Sequence, residues 1–311
     1  MSRYKVRNWP QYNESLKKRG SLSLWVSEDA IEKWQSPKDP HFIGAPQQYS
    51  DDAILCMLAL KAVYHMPYRQ LVGFVQSIFM LMQVTLKTPH FTTVATRAKH
   101  LGKYFKKLSR RRPTDLVLDS SGFKIYGEGE WKVRQHGKQK RRRWKKFHIG
   151  ICPRTHEIIV AEVTELDKAD CEVGPHLLKK APKSVKRVVG DGGYDTWECY
   201  KSAYERDQVL IVPPREGAVY HENEELWQKA RNDAVCQIIG LGKDEEAVAL
   251  WKKLTGYHDR SLVETTFSRL KGIFGPKLFS RSAGKQEVEL NLKACLLNKM
   301  SRQGMPRGRM I

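Results

Sequence analysis

The feature that most constrains the fold is a change of hydrophobic period near Thr114. Before it, DDAILCMLALKAVYHM (51–66) and YRQLVGFVQSIFMLM (68–82) read as helices. The first is almost wholly apolar after an acidic first turn, as expected of a buried helix. Beyond Thr114 come short strand-like segments: DLVLD, WKKFHIGIC and EIIVAEVTEL, the last two joined by an apparent PRTH hairpin turn. A helix over 172–180, the strand KRVVG, a helix over 196–205 and the strand VLIV, closed by Pro213 and Pro214, complete the series. The order β-β-β-α-β-α-β calls for a mixed α/β sheet flanked by helices.

Residues 1–49 form an N-terminal extension with short helices, one of them SEDAIEKW capped by Ser27. Residues 50–112 are helical, with a third helix over about 92–104 that carries Arg97, Lys99 and Lys103. Three helices ending in a basic one suit a helix-turn-helix DNA-binding domain, and equally a plain helical bundle. The α/β part spans 113–300, with a polar helical insertion at about 215–256, and 301–311 reads as a flexible tail.

Charge narrows the function. Lys and Arg number 55 against 34 Asp and Glu, a net +21, and such an imbalance favours a polyanionic partner, nucleic acid before a membrane surface. The longest uncharged stretch, 70–86, holds three glutamines and falls short of a spanning helix. The N-terminal residues offer no apolar run for export, and the six scattered cysteines form no CxxC, as expected of a reduced cytoplasmic protein without a zinc site.

Three acids stand out. Asp119 ends the DLVLD strand, where a carboxylate can be aimed above a sheet edge; Asp followed by Ser-Ser-Gly is also ordinary turn chemistry. Asp191, in VVGDGGYD, follows another strand and precedes two glycines that permit a sharp turn. Asp195, with Glu198 three residues on, reads as a helix cap. Glu264 lies on the final strong helix, on a polar stripe with Arg260 and Lys271 beside the apolar stripe of Val263, Phe267, Leu270 and Phe274. A Ser261–Glu264 capping box explains Glu264 equally well. Converging, Asp119, Asp191 and Glu264 would suit paired hard cations such as Mg²⁺, one ion activating a hydroxyl and the other stabilising the leaving oxygen of a phosphodiester.

The run KVRQHGKQKRRRWKK (132–146) holds nine Lys or Arg and no acid, and KYFKKLSRRR (103–112) adds six. Lys132, Arg134, Lys138, Lys140, Arg141, Arg142 and Arg143 are candidate phosphate contacts, as are Arg97 and Lys99. His148 alternates with apolar residues and reads as a satisfied core or edge histidine.

Several motifs resemble the bacterial insertion-sequence transposases of the IS-five family, within the DDE superfamily. They are YSDDAILCMLALKAVYHMPYRQLVGFVQSIF, DSSGFKIYGEGEWKVRQHG, VVGDGGYDT and GYHDRSLVETTFSRLKGIFG, the last with Tyr257, Arg260, Glu264 and Lys271 at the family's signature spacing. The resemblance implies a ribonuclease-H-like fold with Asp119, Asp191 and Glu264 as catalytic and metal-binding triad. Two Mg²⁺ ions are implied, with Mn²⁺ able to substitute. Tyr257, Arg260 and Lys271 become DNA contacts. The implied activity is cleavage at terminal inverted repeats of double-stranded DNA and joining of 3′ ends to target DNA, by a homodimer or higher oligomer in the bacterial cytoplasm at the nucleoid. A metal-dependent nuclease of the same fold and an inactive DNA-binding relative are the competing readings.

Overall fold

The computed structural model describes residues 4–37, 47–105, 107–125, 144–222 and 225–310. The chain divides into two units, Met1–Lys106 with Ser282–Ile311, and Lys107–Arg281.

The first unit opens with β1 (Tyr4–Val6), α1 (Trp9–Arg19), α2 (Leu22–Trp25), α3 (Glu28–Glu32), α4 (Asp51–Val63), α5 (Tyr68–Leu81) and α6 (Phe91–Arg97), which continues as a 3₁₀ run over Ala98–Phe105. Ser27 and Ser50 cap α3 and α4, each accepting from the amide three residues on. Trp25, Trp34 and Tyr49 of the extension are interior anchors, whereas Trp9 is exposed. Trp34 is 1% exposed and donates its indole N–H to the Lys87 carbonyl, while the Tyr49 hydroxyl donates to Thr88.

The second unit is built on β2 (Asp115–Ile125), β3 (Trp144–Ile151), β4 (Ile158–Glu165), α7 (Asp170–Lys180), β5 (Arg187–Val189), α8 (Trp197–Tyr204), β6 (Val209–Ile211), α9 (Lys229–Gly240), α10 (Glu245–Leu254), α11 (Ser261–Phe274) and β7 (Lys277–Leu278). The sheet order is β4-β3-β2-β5-β6, with β7 also pairing β2. The β2, β3 and β4 pairings are antiparallel, and β5, β6 and β7 join in parallel, which gives a ribonuclease-H-like mixed sheet flanked by helices. One face packs Leu116, Leu118, Val160 and Val188 against Leu177, Leu178, Tyr200 and Ala203 of α7 and α8. The apolar stripe Val263, Phe267, Leu270 and Phe274 is buried on α11, as its spacing predicts.

Chain continuation returns to the first unit through α12 (Ala283–Gln303) and β8 (Gly308–Met310). The tail expected to be flexible is fastened there. β8 pairs β1, and Asn8 both donates its amide to the Met305 carbonyl and accepts from the Arg307 N–H, so one side chain satisfies two backbone groups of the C-terminal segment. Among the described residues no helix is long and apolar enough to cross a membrane.

Candidate active site

Parallel pairing of β2 with β5 matches Val117 with Val189. Asp119 lies two residues beyond this matched pair on β2, and Asp191 two residues beyond it, past the end of β5 at the start of a 3₁₀ turn, near enough for its charge to be felt at Asp119. Asp119 does not end its strand, as the sequence suggested. β2 runs on to Ile125 because β3 continues to pair with it as far as Lys124. Only the β5 side stops, and β7 does not resume pairing until Lys124. Asp119 therefore sits mid-strand beside an opening in the sheet edge.

Asp191 holds the turn that leaves β5. Its Oδ1 accepts the Gly193 N–H at 2.9 Å, and a Cβ at position 193 would come within 2.8 Å of the same oxygen. Any larger residue there would press the carboxylate out of its present place. Asp119 Oδ1 accepts only the Ser120 N–H, at 2.8 Å. Among the described residues neither aspartate makes an ion pair, in a chain of net charge +21. Burial pushes the Asp119 carboxyl up to about 6; Arg260 acts against this, and Asp191 and Asp170 add to it.

The third acid comes from α11. Gly256, at φ +67°, starts a 3₁₀ turn over Tyr257–Arg260 that runs directly into the helix. The capping-box reading of Glu264 fails: the Ser261 hydroxyl donates to the His258 carbonyl, and no side chain caps α11. Glu264 instead accepts from Arg260, Nη1 to Oε1 2.6 Å, and its side chain is half exposed. Two anchors set the helix along the sheet. Near its start, Arg187 of β5 donates to the Thr255 and Gly256 carbonyls and pairs with Asp259 and Asp115. Further along, Lys271 Nζ lies 2.6 Å from Ser121 Oγ and 5.2 Å from the Phe123 ring centre. Seven residues, about 10 Å of helix, separate Lys271 from Glu264 on one helical stripe, so Glu264 falls between the Asp115 and Ser121 levels of β2. Arg260 feels Tyr257, Asp119, Glu264 and Asp191 together, although burial alone would lower its affinity for a proton.

The segment holding this arrangement, residues 110–299, matches a family model described as the Transposase DDE domain, and a second model of that description matches residues 17–128. The chain belongs to the DDE transposase family. It is also similar to a solved structure of piggyBac transposase in a synaptic complex with hairpin DNA, with 10% sequence identity and a TM-score of 0.32, over 97% of this chain and 84% of that one.

In this DDE-family chain the oxygen donors of Asp119 and Asp191 fit a hard divalent cation chemically, being anionic and without a cationic partner. Glu264 is held by Arg260, and among the described residues no group of three or more His, Cys, Asp or Glu stands close enough to bind a metal. The structure thus brings two acids together and keeps the third in an ion pair on the neighbouring helix.

Other sequence candidates fall in different places. Arg97 is engaged by Asp51 and by the Tyr49 carbonyl, whereas Lys99 is exposed. Tyr257 is half-buried against Trp251 and Lys252. Lys132, Arg134, Lys138, Lys140, Arg141, Arg142 and Arg143 lie outside the described residues. Asp195 is not a helix cap: Thr196 takes that position, and the fully buried Asp195 carboxylate pairs with Arg231 at 2.9 Å and accepts the Arg215 N–H. His148 is interior as expected, 2.9 Å from Thr164 Oγ1 and 3.1 Å from Asp170.

Asp170 itself was missed by sequence reasoning. It is the first residue of α7, in LDKADCE, where it looks like any acid favourable to a helix start. Its surroundings set it apart: Lys146 Nζ at 3.2 Å, His148 Nδ1 at 3.1 Å, and a hydrogen bond with Ser120. Burial works to raise its carboxyl, and these partners outweigh burial to bring it to about 2.

Proposed function

We propose that the chain is a DNA transposase of the insertion-sequence type, akin to the IS-five family, that cuts phosphodiester bonds at its element's ends and joins the 3′ hydroxyls to target DNA. The observation that supports this reading is the pair Asp119 and Asp191, neither in an ion pair and the charge of one felt at the other where β2 outruns β5, within the segment that matches the Transposase DDE domain. Asp119 and Asp191 would hold Mg²⁺ or Mn²⁺. Glu264 joins them when Arg260 turns to a phosphate, since a guanidinium prefers a bidentate oxyanion to a single exposed carboxylate oxygen. Bound metal supplies an activated oxygen nucleophile and stabilises the leaving oxygen.

The chain's own groups bind and orient. Arg260 and Lys271 flank the carboxylates on one stripe of α11 and would grip phosphates on either side of the scissile bond. Tyr257 offers a ring face to a terminal base. The 132–143 run, with Lys99, supplies sequence-independent contact to the double-stranded DNA backbone. Two element ends must be joined in one event, which calls for a dimer or higher oligomer on DNA.

The test is direct. Protein, Mg²⁺ and DNA carrying the inverted repeats that flank the gene should give strand-joined products, and Asp191→Asn should abolish cleavage while leaving DNA binding within about threefold. Hydrolysis without joining would assign the chain to the nucleases. Undiminished cutting by Asp191→Asn would remove the proposed site.

A further inference from the structure

β5 and β6 are parallel neighbours in register, and the segments that leave them stay side by side. The Gly190 N–H donates to the Ile211 carbonyl, and a Cβ built on Gly192 would stand 3.7 Å from the Pro213 carbonyl oxygen. Two residues further along, the Arg215 N–H donates to Asp195 Oδ2 at 2.9 Å. The loop beyond β6 is thus fastened to the turn that carries Asp191. It is fastened again at Val219, whose carbonyl accepts from Arg231, and at His221, whose N–H and carbonyl are both held by the Asn232 side chain. Asp195 and Asn232 are buried, whereas Arg215, Val219 and Tyr220 are exposed. Buried polar groups therefore hold the backbone of this loop while its outward side chains pack against no core, as suits contact with an external ligand.

The same turn directs the Arg215 guanidinium. Its Nε lies 3.4 Å from the carbonyl of Gly192, the residue after Asp191. The paired Nη groups are left over, and among the described residues they meet no carboxylate. We propose that Arg215 is a substrate-binding residue of the Asp191 site, gripping a DNA phosphate that flanks the one to be cut. The inference rests on the transposase reading above. A guanidinium fork matches the oxygens of a phosphate. Each nucleotide advances a strand by about 3.4 Å along the helix axis, so a strand cut at Asp191 brings its flanking phosphates within reach of an arginine one residue away. Arg260 and Lys271 belong to α11; Arg215 adds a contact from the β5–β6 edge. An exposed arginine that serves net charge alone would be interchangeable with any other exposed cation.

The experiment uses the full chain and a duplex carrying the inverted repeat that flanks the gene. Binding is titrated in EDTA across a salt series, and cleavage is followed in Mg²⁺. Arg215→Ala should weaken binding about tenfold at low salt and reduce the slope of log K against log salt by about 1, with cleavage about tenfold slower or worse. Lys183→Ala removes the same charge from an exposed position at the opposite end of β5 and should change neither. Single methylphosphonate substitutions then locate the contact. One neutral phosphate within about two nucleotides of the cut should weaken the parent and leave Arg215→Ala indifferent, because both then lack the same interaction. A parent-like slope in Arg215→Ala overturns the proposal, as does an equal effect of Lys183→Ala or the absence of any such phosphate. A urea midpoint that falls in step with affinity also overturns it, since Arg215 would then be a fastener of the loop. A parent that binds the duplex without cutting it sinks the transposase reading, and this placement of Arg215 with it. A parent that cuts and joins, matched by Arg215→Ala in slope and rate, leaves that reading standing and removes only the role of Arg215.

Discussion

Arg260 and Glu264 form an ion pair one turn apart at the start of α11, with 2.6 Å between Nη1 and Oε1. Pairs of this spacing and exposure contribute only about 0.3–0.5 kcal/mol to a helix. The pair is therefore easily opened, which suits a latch that a phosphate or a metal could release. Arg260→Ala should change the urea midpoint by less than the equivalent of about 0.5 kcal/mol. In a cleavage assay the same variant should lose about 100-fold or more, the scale seen when one charge-stabilising donor is removed from an active site. Comparable losses of stability and rate would mean that Arg260 is a structural residue.

Gly256 fixes where that latch begins. Its φ of +67° suits glycine, and a Cβ there would stand 2.9 Å from the Arg187 guanidinium that clamps the Thr255 and Gly256 carbonyls. Gly256→Ala combines backbone strain with displacement of the clamp and should cost about 1–3 kcal/mol by denaturant unfolding. Arg187→Lys keeps the charge but cannot reproduce the forked contacts to two carbonyls and two carboxylates. Both variants should impair cleavage, because both loosen the start of the helix that carries Arg260 and Glu264.

Asp119 makes a signed prediction about pH. Burial raises its carboxyl to about 6, above the ordinary value of 3.8, so the folded state holds this proton more tightly than the unfolded chain. Stability is therefore lost as pH rises from about 4 to about 6, and the loss persists above that window. In EDTA, Asp119→Asn should be more stable than the parent at pH 8 by about 1–3 kcal/mol, with the advantage gone near pH 4. A parent protein more stable than the variant at pH 8 without metal would show that the carboxylate is well accommodated as an anion.

Local pattern carried much of this architecture. Ser50 with Asp51 and Asp52 marks the start of α4, the period of two marks β3 and β4, and the apolar stripe of α11 is legible because each signal rests on neighbours in sequence. Long-range partners were not legible. That Asp119 lies mid-strand depends on β3 pairing past it, and the significance of Asp170 depends on Lys146 and His148, more than twenty residues upstream. The Ser261–Glu264 box fitted the letters. It gave way because the preceding 3₁₀ turn leaves the His258 carbonyl for the Ser261 hydroxyl and Arg260 for Glu264. At Asp191 the turn was legible locally, because its carboxylate accepts the Gly193 N–H two residues on.

Asp195 separates the two kinds of signal. A helix cap can be exchanged among Ser, Asn and Asp for about 1 kcal/mol or less. Asp195 instead lies fully buried against Arg231, which stacks over the Trp197 ring and is itself only 12% exposed. Asp195→Ser would leave that guanidinium in the interior without its counter-charge, a change that costs about 3–5 kcal/mol when one member of a buried pair is removed. Arg231→Met in the same chain removes the stranded charge and should recover at least half of the loss, measured by denaturant unfolding. A cost near 1 kcal/mol for Asp195→Ser, unaffected by Arg231→Met, would restore the capping role that the sequence suggested. The structure argues against that outcome: the nearest cap position belongs to Thr196, and both Asp195 oxygens are already engaged, Oδ1 by Arg231 and Oδ2 by the Arg215 N–H.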